Sequence, residues 1–275
     1  MTKLVMQQLE LQKSSAGLLL SWLLTMILVP IGKWTVGSEV STPVLMMVAV
    51  TLQAAAVGII LSRRWDGSTA LAVFALVAFM GWLIEAIGTA TGYPFGVYDY
   101  TPLLQPQIAH VPLLIPLAWF MMLPVSWAIA TSIQHLLGWS SKASFIGLSA
   151  IAMTAWDLFL DPQMVHWGFW IWHDVPAINY FGIPWLNYFG WLLGSALMTA
   201  AVVYLIRPNW STLPIRPFLF IYAITWFLET FGLLFFWGLP GPALIGGFVM
   251  GVLLLTACWP LLNNTPHPNP RASHD

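Results

Sequence analysis

The stretch TALAVFALVAFMGWLIEAIGTA, residues 69–90, decides the fold. It runs for 22 residues with a single ionisable side chain, Glu85, and contains no proline. A helix of this length spans the roughly 30 Å hydrocarbon core of a bilayer, which takes about 20 apolar residues. The helix of a water-soluble domain carries a polar stripe; this one is apolar all round, as expected of a helix with no face toward water.

Seven further stretches of the same kind flank it, at residues 15–31, 44–62, 112–137, 143–160, 186–206, 217–236 and 242–262. They predict an all-α, polytopic bundle of about eight transmembrane helices, forming a single membrane domain over residues 1–262. The polar, Pro-rich segment 263–275 is expected to be a disordered tail. Composition agrees: of 275 residues 59% are apolar and only 7% charged, against about 25% charged in soluble domains. That excludes a soluble enzyme, which could not coat its surface. The net charge of −1 and the lack of a basic stripe exclude nucleic acid as a partner. A single cysteine, Cys258, excludes disulfides and any Cys-based metal site. The first span follows Lys3, Glu10 and Lys13 without an A-x-A-like cleavage site, so it is expected to be retained. Pro112, Pro116 and Pro124 predict a kinked or broken fourth span.

Positive charge sorts by side. Lys3, Lys13, Arg63, Arg64, Lys142, Arg207, Arg216 and Arg271 fall on the tails and even-numbered connections, and only Lys33 falls on an odd one. The positive-inside rule then places both termini in the cytoplasm. The same map draws Glu85, Asp157, Asp161 and Glu229 toward the outer half of the membrane, with Asp99 and Asp174 in outer connections and no cation at that depth. Ionisable residues inside a span cost roughly 2.5–3.5 kcal/mol at its centre and are functional candidates by default.

Asp157 and Asp161 stand i, i+4 on one helix face. Burial, a like-charged neighbour and the C-terminal end of the helix all favour the neutral acid, and a neutral carboxylic acid is a usable proton donor. The plainer alternative is that Asp161-Pro162 ends the helix. Glu85 and Glu229 belong to a repeated W-x-x-E-x-x-G, Trp82 to Gly88 and Trp226 to Gly232, 144 residues apart. This fits a duplicated four-helix unit or coincidence in a chain rich in Trp and Gly. The glycine lets a backbone or a flat ligand approach each Glu; a packing role is the alternative. Trp119, Trp167, Trp170, Trp172, Trp185, Trp191 and Trp237, with Tyr93, Tyr98, Tyr100, Tyr180 and Tyr188, read as an interfacial belt. Trp82, Trp156 and Trp226 lie within a turn of a carboxyl and are candidates to face a ligand. His110, His135, His166 and His173 lack the spacing of a helical metal site, and neither a dinucleotide fingerprint nor a P-loop is present. Gly246-Gly247 reads as close helix packing. What remains is acid–base chemistry on a lipid-soluble molecule.

Four blocks carry a resemblance: EAIGTATGYPFGVYDYT (85–101), VPLLIPLAWFMM (111–122), WDLFLDPQM (156–164) and YFGIPWLN (180–187). In order and spacing they resemble the membrane-type carotenoid 1,2-hydratase family, which includes enzymes acting on lycopene, γ-carotene or precursors of bacterioruberin. Gln105 and His110 stand where members of that family carry glycine, a departure that bears on the substrate subgroup and not on the family. The resemblance implies a cofactor-independent hydration of the terminal 1,2 double bond of a linear carotenoid end, with no metal. Asp157 or Asp161 would donate the proton and Glu85 orient the water, with Glu229 as the fourth catalytic candidate. Trp82, Tyr98, Trp119, Trp156, Asn187 and Trp226 would bind substrate arriving from the lipid, and a carotenoid glycosyltransferase is an expected pathway neighbour. A proton-coupled transporter and a non-catalytic carotenoid-binding scaffold stand as alternatives.

Overall fold

The computed structural model describes residues 6–7, 9, 11–35 and 37–262. The expectations for Lys3, Glu10, Arg271 and the 263–275 tail lie outside the described residues. Eight helices are long and apolar enough to cross a membrane: α1 (Lys13–Thr35), α2 (Ser38–Ser62), α3 (Gly67–Thr91), α4 (Leu114–Leu137), α5 (Lys142–His166), α6 (Trp185–Ala201, continued by a π-helical turn at Val202–Ile206), α7 (Ile215–Phe235) and α8 (Pro240–Leu262). Their boundaries follow from turn chemistry. Asp66 caps α3 by accepting from the Thr69 amide at 2.9 Å, and Ser141 caps α5 through Ser144. Gly92 and Gly138 close α3 and α4 in the left-handed conformation, which glycine adopts at no steric cost.

The bundle is organised around α4, which packs against α2, α3, α5, α7 and α8, while α1 packs chiefly on α2. This explains why α4 is apolar on every side. Of the expected kink or break, the break is absent, since α4 is one helix through Pro116 and Pro124, with Pro112 in a short strand before it. Pro116 lies in the first turn, where its missing N–H has no intrahelical partner in any case. Pro124 is buried. Around this core the usual pattern of a soluble protein is inverted. Large apolar side chains such as Leu71, Phe79, Leu205, Phe248 and Leu255 point outward, while Glu85, Asp157, Asp161, Gln163, Asn187 and Glu229 are buried. That is how a chain solvated by lipid arranges itself.

A second departure concerns α5. The helix does not stop at Pro162 but continues to His166, leaving Asp161 inside it. Proline removes the N–H that would bond the Leu158 carbonyl. The Tyr180 hydroxyl donates to that carbonyl instead, at 3.2 Å.

The α3–α4 and α5–α6 connections at the carboxyl-bearing end are knitted into a small sheet. Strand β1 (Tyr98–Tyr100) pairs antiparallel with β4 (Trp170–Trp172), with Tyr98 opposite Trp172 and Tyr100 opposite Trp170. A hairpin of β2 (Gln107–Ile108) and β3 (Val111–Pro112) lies between β1 and α4. Alternation along a strand turns Tyr98, Tyr100, Trp170 and Trp172 inward and leaves Asp99 and Ile171 outside.

Candidate active site

Two polar clusters meet under this sheet. In the first, Glu85 of α3 accepts hydrogen bonds on one carboxyl oxygen from the hydroxyls of Tyr98 and Tyr100, the latter at 2.9 Å. Its other oxygen accepts from the Trp119 indole at 3.1 Å. In the second, the Asn187 side-chain amide of α6 donates to Oδ2 of Asp157, at 2.9 Å, and to Oδ2 of Asp161. The two aspartates lie within reach of one another and Trp170 lies within reach of Asp161. Asp157 Oδ1 is buried without a partner. Asp157 is fully buried, and Asp161, Asn187 and Glu85 are 2–4% exposed. Among the described residues no Lys or Arg forms an ion pair with these carboxyls, and no group of His, Cys, Asp and Glu is placed to hold a metal.

Glycines make the close approaches possible. A Cβ on Gly88 would stand 2.7 Å from Phe95 and 3.1 Å from the Tyr98 hydroxyl, so it is the sheet that approaches the thinned face of α3. Gly81 and Gly194 leave room for the Trp119 ring in the same way. That ring stacks on Trp191 at 4.3 Å, and Trp191 meets Trp156 edge-on at 6.0 Å. Burial, and then the adjacent Glu85 carboxyl, raise the Tyr98 and Tyr100 hydroxyls well above the ordinary tyrosine range. Both therefore stay protonated donors.

The groups enclose a cavity of about 30 Å³ bounded by Glu85, Tyr98, Tyr100, Trp119, Asp161 and Asn187, room for one or two waters. A second cavity of about 60 Å³ lies between the α1–α2 hairpin and α4, α5 and α7, and is almost wholly apolar. Ile115, Ala118, Leu160 and Trp170 border both, so one layer of side chains separates them.

The structure thus brings together Glu85, Asp161, Asn187, Tyr98 and Trp119 around the first cavity, with Asp157 joined to them through Asn187. It places Trp156 and Glu229 on the second, with Gln163 in reach of Glu229. Trp82 and Trp226 border neither cavity. Their indoles donate to the carbonyls of Ile108 and Gly247. Asp99 faces outward and pairs with His173 at 2.9 Å. Tyr100, Trp170, Trp172 and Trp191 also line the first cavity, though the sequence reads them only as belt residues. The i, i+2 spacing of Tyr98/Tyr100 and Trp170/Trp172 is the strand signal that would have singled them out.

Fold and site together define a polytopic helical membrane protein with a buried, cation-free cluster of carboxylic acids beside an apolar slot. A family model for carotenoid biosynthesis proteins matches residues 43–253, and the chain belongs to that family. It is also similar to the bisanhydrobacterioruberin hydratase of Haloarcula japonica, with 33% identity over 133 residues. That match covers 48% of this chain and 44% of the relative, so the chain spans less than half the length of the curated protein it matches. No solved structure matches it.

Proposed function

We propose that this protein is a carotenoid hydratase that adds water across the terminal 1,2 double bond of a linear carotenoid end, such as that of lycopene or γ-carotene. The observation that carries the reading is the Asp157–Asn187–Asp161 cluster set beside Glu85 around a space the size of a water molecule. Family membership and the similarity to a hydratase support the same class of chemistry.

The reaction follows from the groups present. The substrate lies in the apolar slot with its end directed past Leu160 and Trp170 toward the acids. One member of the Asp157/Asp161 pair transfers its proton to C2 of the alkene, and its O–H bond electrons stay on the carboxylate. The alkene π electrons form the new C–H bond, leaving a tertiary cation at C1. Trp119 and Trp191 present indole rings to this region, and a desolvated π face stabilises a cation by about 2 kcal/mol or more. A water held by Glu85 donates a lone pair to C1 and gives up a proton to Glu85, and the product is a tertiary alcohol. Return of that proton to the aspartate pair restores the resting state, so the net change is addition of one water. Asn187 fixes one oxygen of each aspartate and so sets the position of the acid. Tyr98, Tyr100 and Trp119 hold Glu85 in one orientation. Glu229, across the dividing layer, faces the substrate chain. We also assign the end rich in basic connections to the cytoplasm, which puts the acids in the outer half of the membrane.

The test is co-expression with a lycopene-producing pathway and mass analysis of the pigments. The expected outcome is pigment heavier by one or two waters, with formation reduced about 10²–10⁴-fold in Asp157→Asn, Asp161→Asn or Glu85→Gln, the usual worth of a general acid or base. Normal hydration in all three variants would overturn the site. Unchanged pigment mass in the unsubstituted protein, with pigment bound, would establish a binding scaffold instead.

A further inference from the structure

Three polar side chains line the otherwise apolar slot and take no part in the proton transfers proposed above. Thr225 and Glu229 stand one helical turn apart on α7 and both line it, and Gln53 of α2 lines it from another wall. All three side chains are more than nine-tenths buried. Among the described residues the Thr225 hydroxyl has no hydrogen-bond partner. The Gln53 amide, among the described residues, donates only to the sulfur of Met122, at 3.2 Å, a weak acceptor. A buried hydroxyl without a partner is disfavoured unless a ligand completes it. The remaining walls are greasy, formed by Trp22, Met46, Val50, Met121, Trp156 and Leu160. A chain of isoprenoid character fills such walls, and the three polar side chains add donors and an acceptor to the same lining.

We infer that Thr225, Glu229 and Gln53 form a subsite that reads a hydroxyl group on an isoprenoid chain lying in the slot. A neutral O–H both donates and accepts, which suits a hydroxyl, a carboxyl and an amide lining the same slot. The subsite bears on substrate choice only if the hydratase reading holds, but the binding itself does not depend on that reading.

The test uses the full chain in lipid nanodiscs and two probes, an acyclic C20 isoprenoid tertiary alcohol and the hydrocarbon of the same skeleton. The readout is the rise in Tm with ligand concentration, which needs no turnover. The alcohol should act at a concentration about tenfold lower than the hydrocarbon, the worth of roughly one net hydrogen bond. That preference should vanish in Thr225→Val and Glu229→Leu and survive in Thr225→Ser, which keeps the hydroxyl. Equal potency of the two probes on the unsubstituted protein, or an undiminished preference in Thr225→Val, would overturn the subsite. A protein that prefers the alcohol but hydrates nothing upholds the subsite and sinks the hydratase. Steady-state hydration separates two sources of the hydroxyl. If the group arrives with the substrate, Thr225→Val lowers kcat/KM for hydroxylated relative to hydrocarbon substrate. If the reaction itself installs the group, the same variant relieves inhibition by accumulated product.

Discussion

At the residue scale, the site depends on atoms that are absent as much as on those present. Gly88 has no Cβ, and its place is taken by Phe95 and the Tyr98 hydroxyl that bonds Glu85. In an open helix, alanine would be preferred to glycine by about 1 kcal/mol. Here Phe95 is fully buried and held from its other side by Gly190, so it cannot move aside. Overpacking of about 1–3 kcal/mol therefore wins. Gly88→Ala is expected to lower Tm and to reduce hydration through displacement of Tyr98 from Glu85. An unchanged Tm together with unchanged pigment hydration would show that Glu85 does not need that support. The W-x-x-E-x-x-G motif was visible in the sequence, but what its glycine admits was not. The approaching residue, Phe95, comes from a loop whose path no local pattern specifies.

At the scale of the element, α5 shows how a helix continues past a proline. Pro162 withholds an N–H from the Leu158 carbonyl, and Tyr180, from the following connection, supplies a hydroxyl in its place. The ring of Tyr180 packs against Tyr188 at 5.3 Å and Trp185 at 5.7 Å, so Tyr180→Phe retains the packing and removes only the donor. The expected cost is about 1–3 kcal/mol for an orphaned buried carbonyl. Because the orphaned group lies between Asp157 and Asp161, hydration should fall along with stability, and Tm and product formation measured on one preparation would show both. An unaltered Tm would mean that the carbonyl finds another partner. From sequence alone Asp161-Pro162 reads as a helix end. The compensating hydroxyl is 22 residues away, beyond the reach of any local rule. The β1–β4 pairing escapes for a related reason, since strands of three residues leave only one i, i+2 repeat each.

At the scale of the whole molecule, the proposed function draws on two cavities that share a wall. Ala118 of α4 borders both, so Ala118→Val thickens by two methyl groups the wall past which the substrate end is proposed to reach the acids. Hydration of a linear carotenoid is expected to fall at least about tenfold, or roughly 1.4 kcal/mol in transition-state terms, with Tm close to that of the unsubstituted protein. Retention of full activity would argue that the substrate reaches the acids by another route. Such a layout lies within the family's chemistry, but no pattern of letters discloses it. Eight helices long and apolar enough to cross a membrane, with scarce acids buried among them, were legible from the residues alone, because apolar length and charge content are local properties that lipid solvation enforces. The sequence also determined the family, because four ordered blocks survive as recognisable strings. Only the tertiary structure decided that Asn187 bridges two aspartates, that Tyr98, Tyr100 and Trp119 converge on Glu85, and that Glu229 lies across a wall from them. Helices apolar on every side carry no stripe to say which face turns inward, so that choice is made by packing among helices and by the sheet that closes over them.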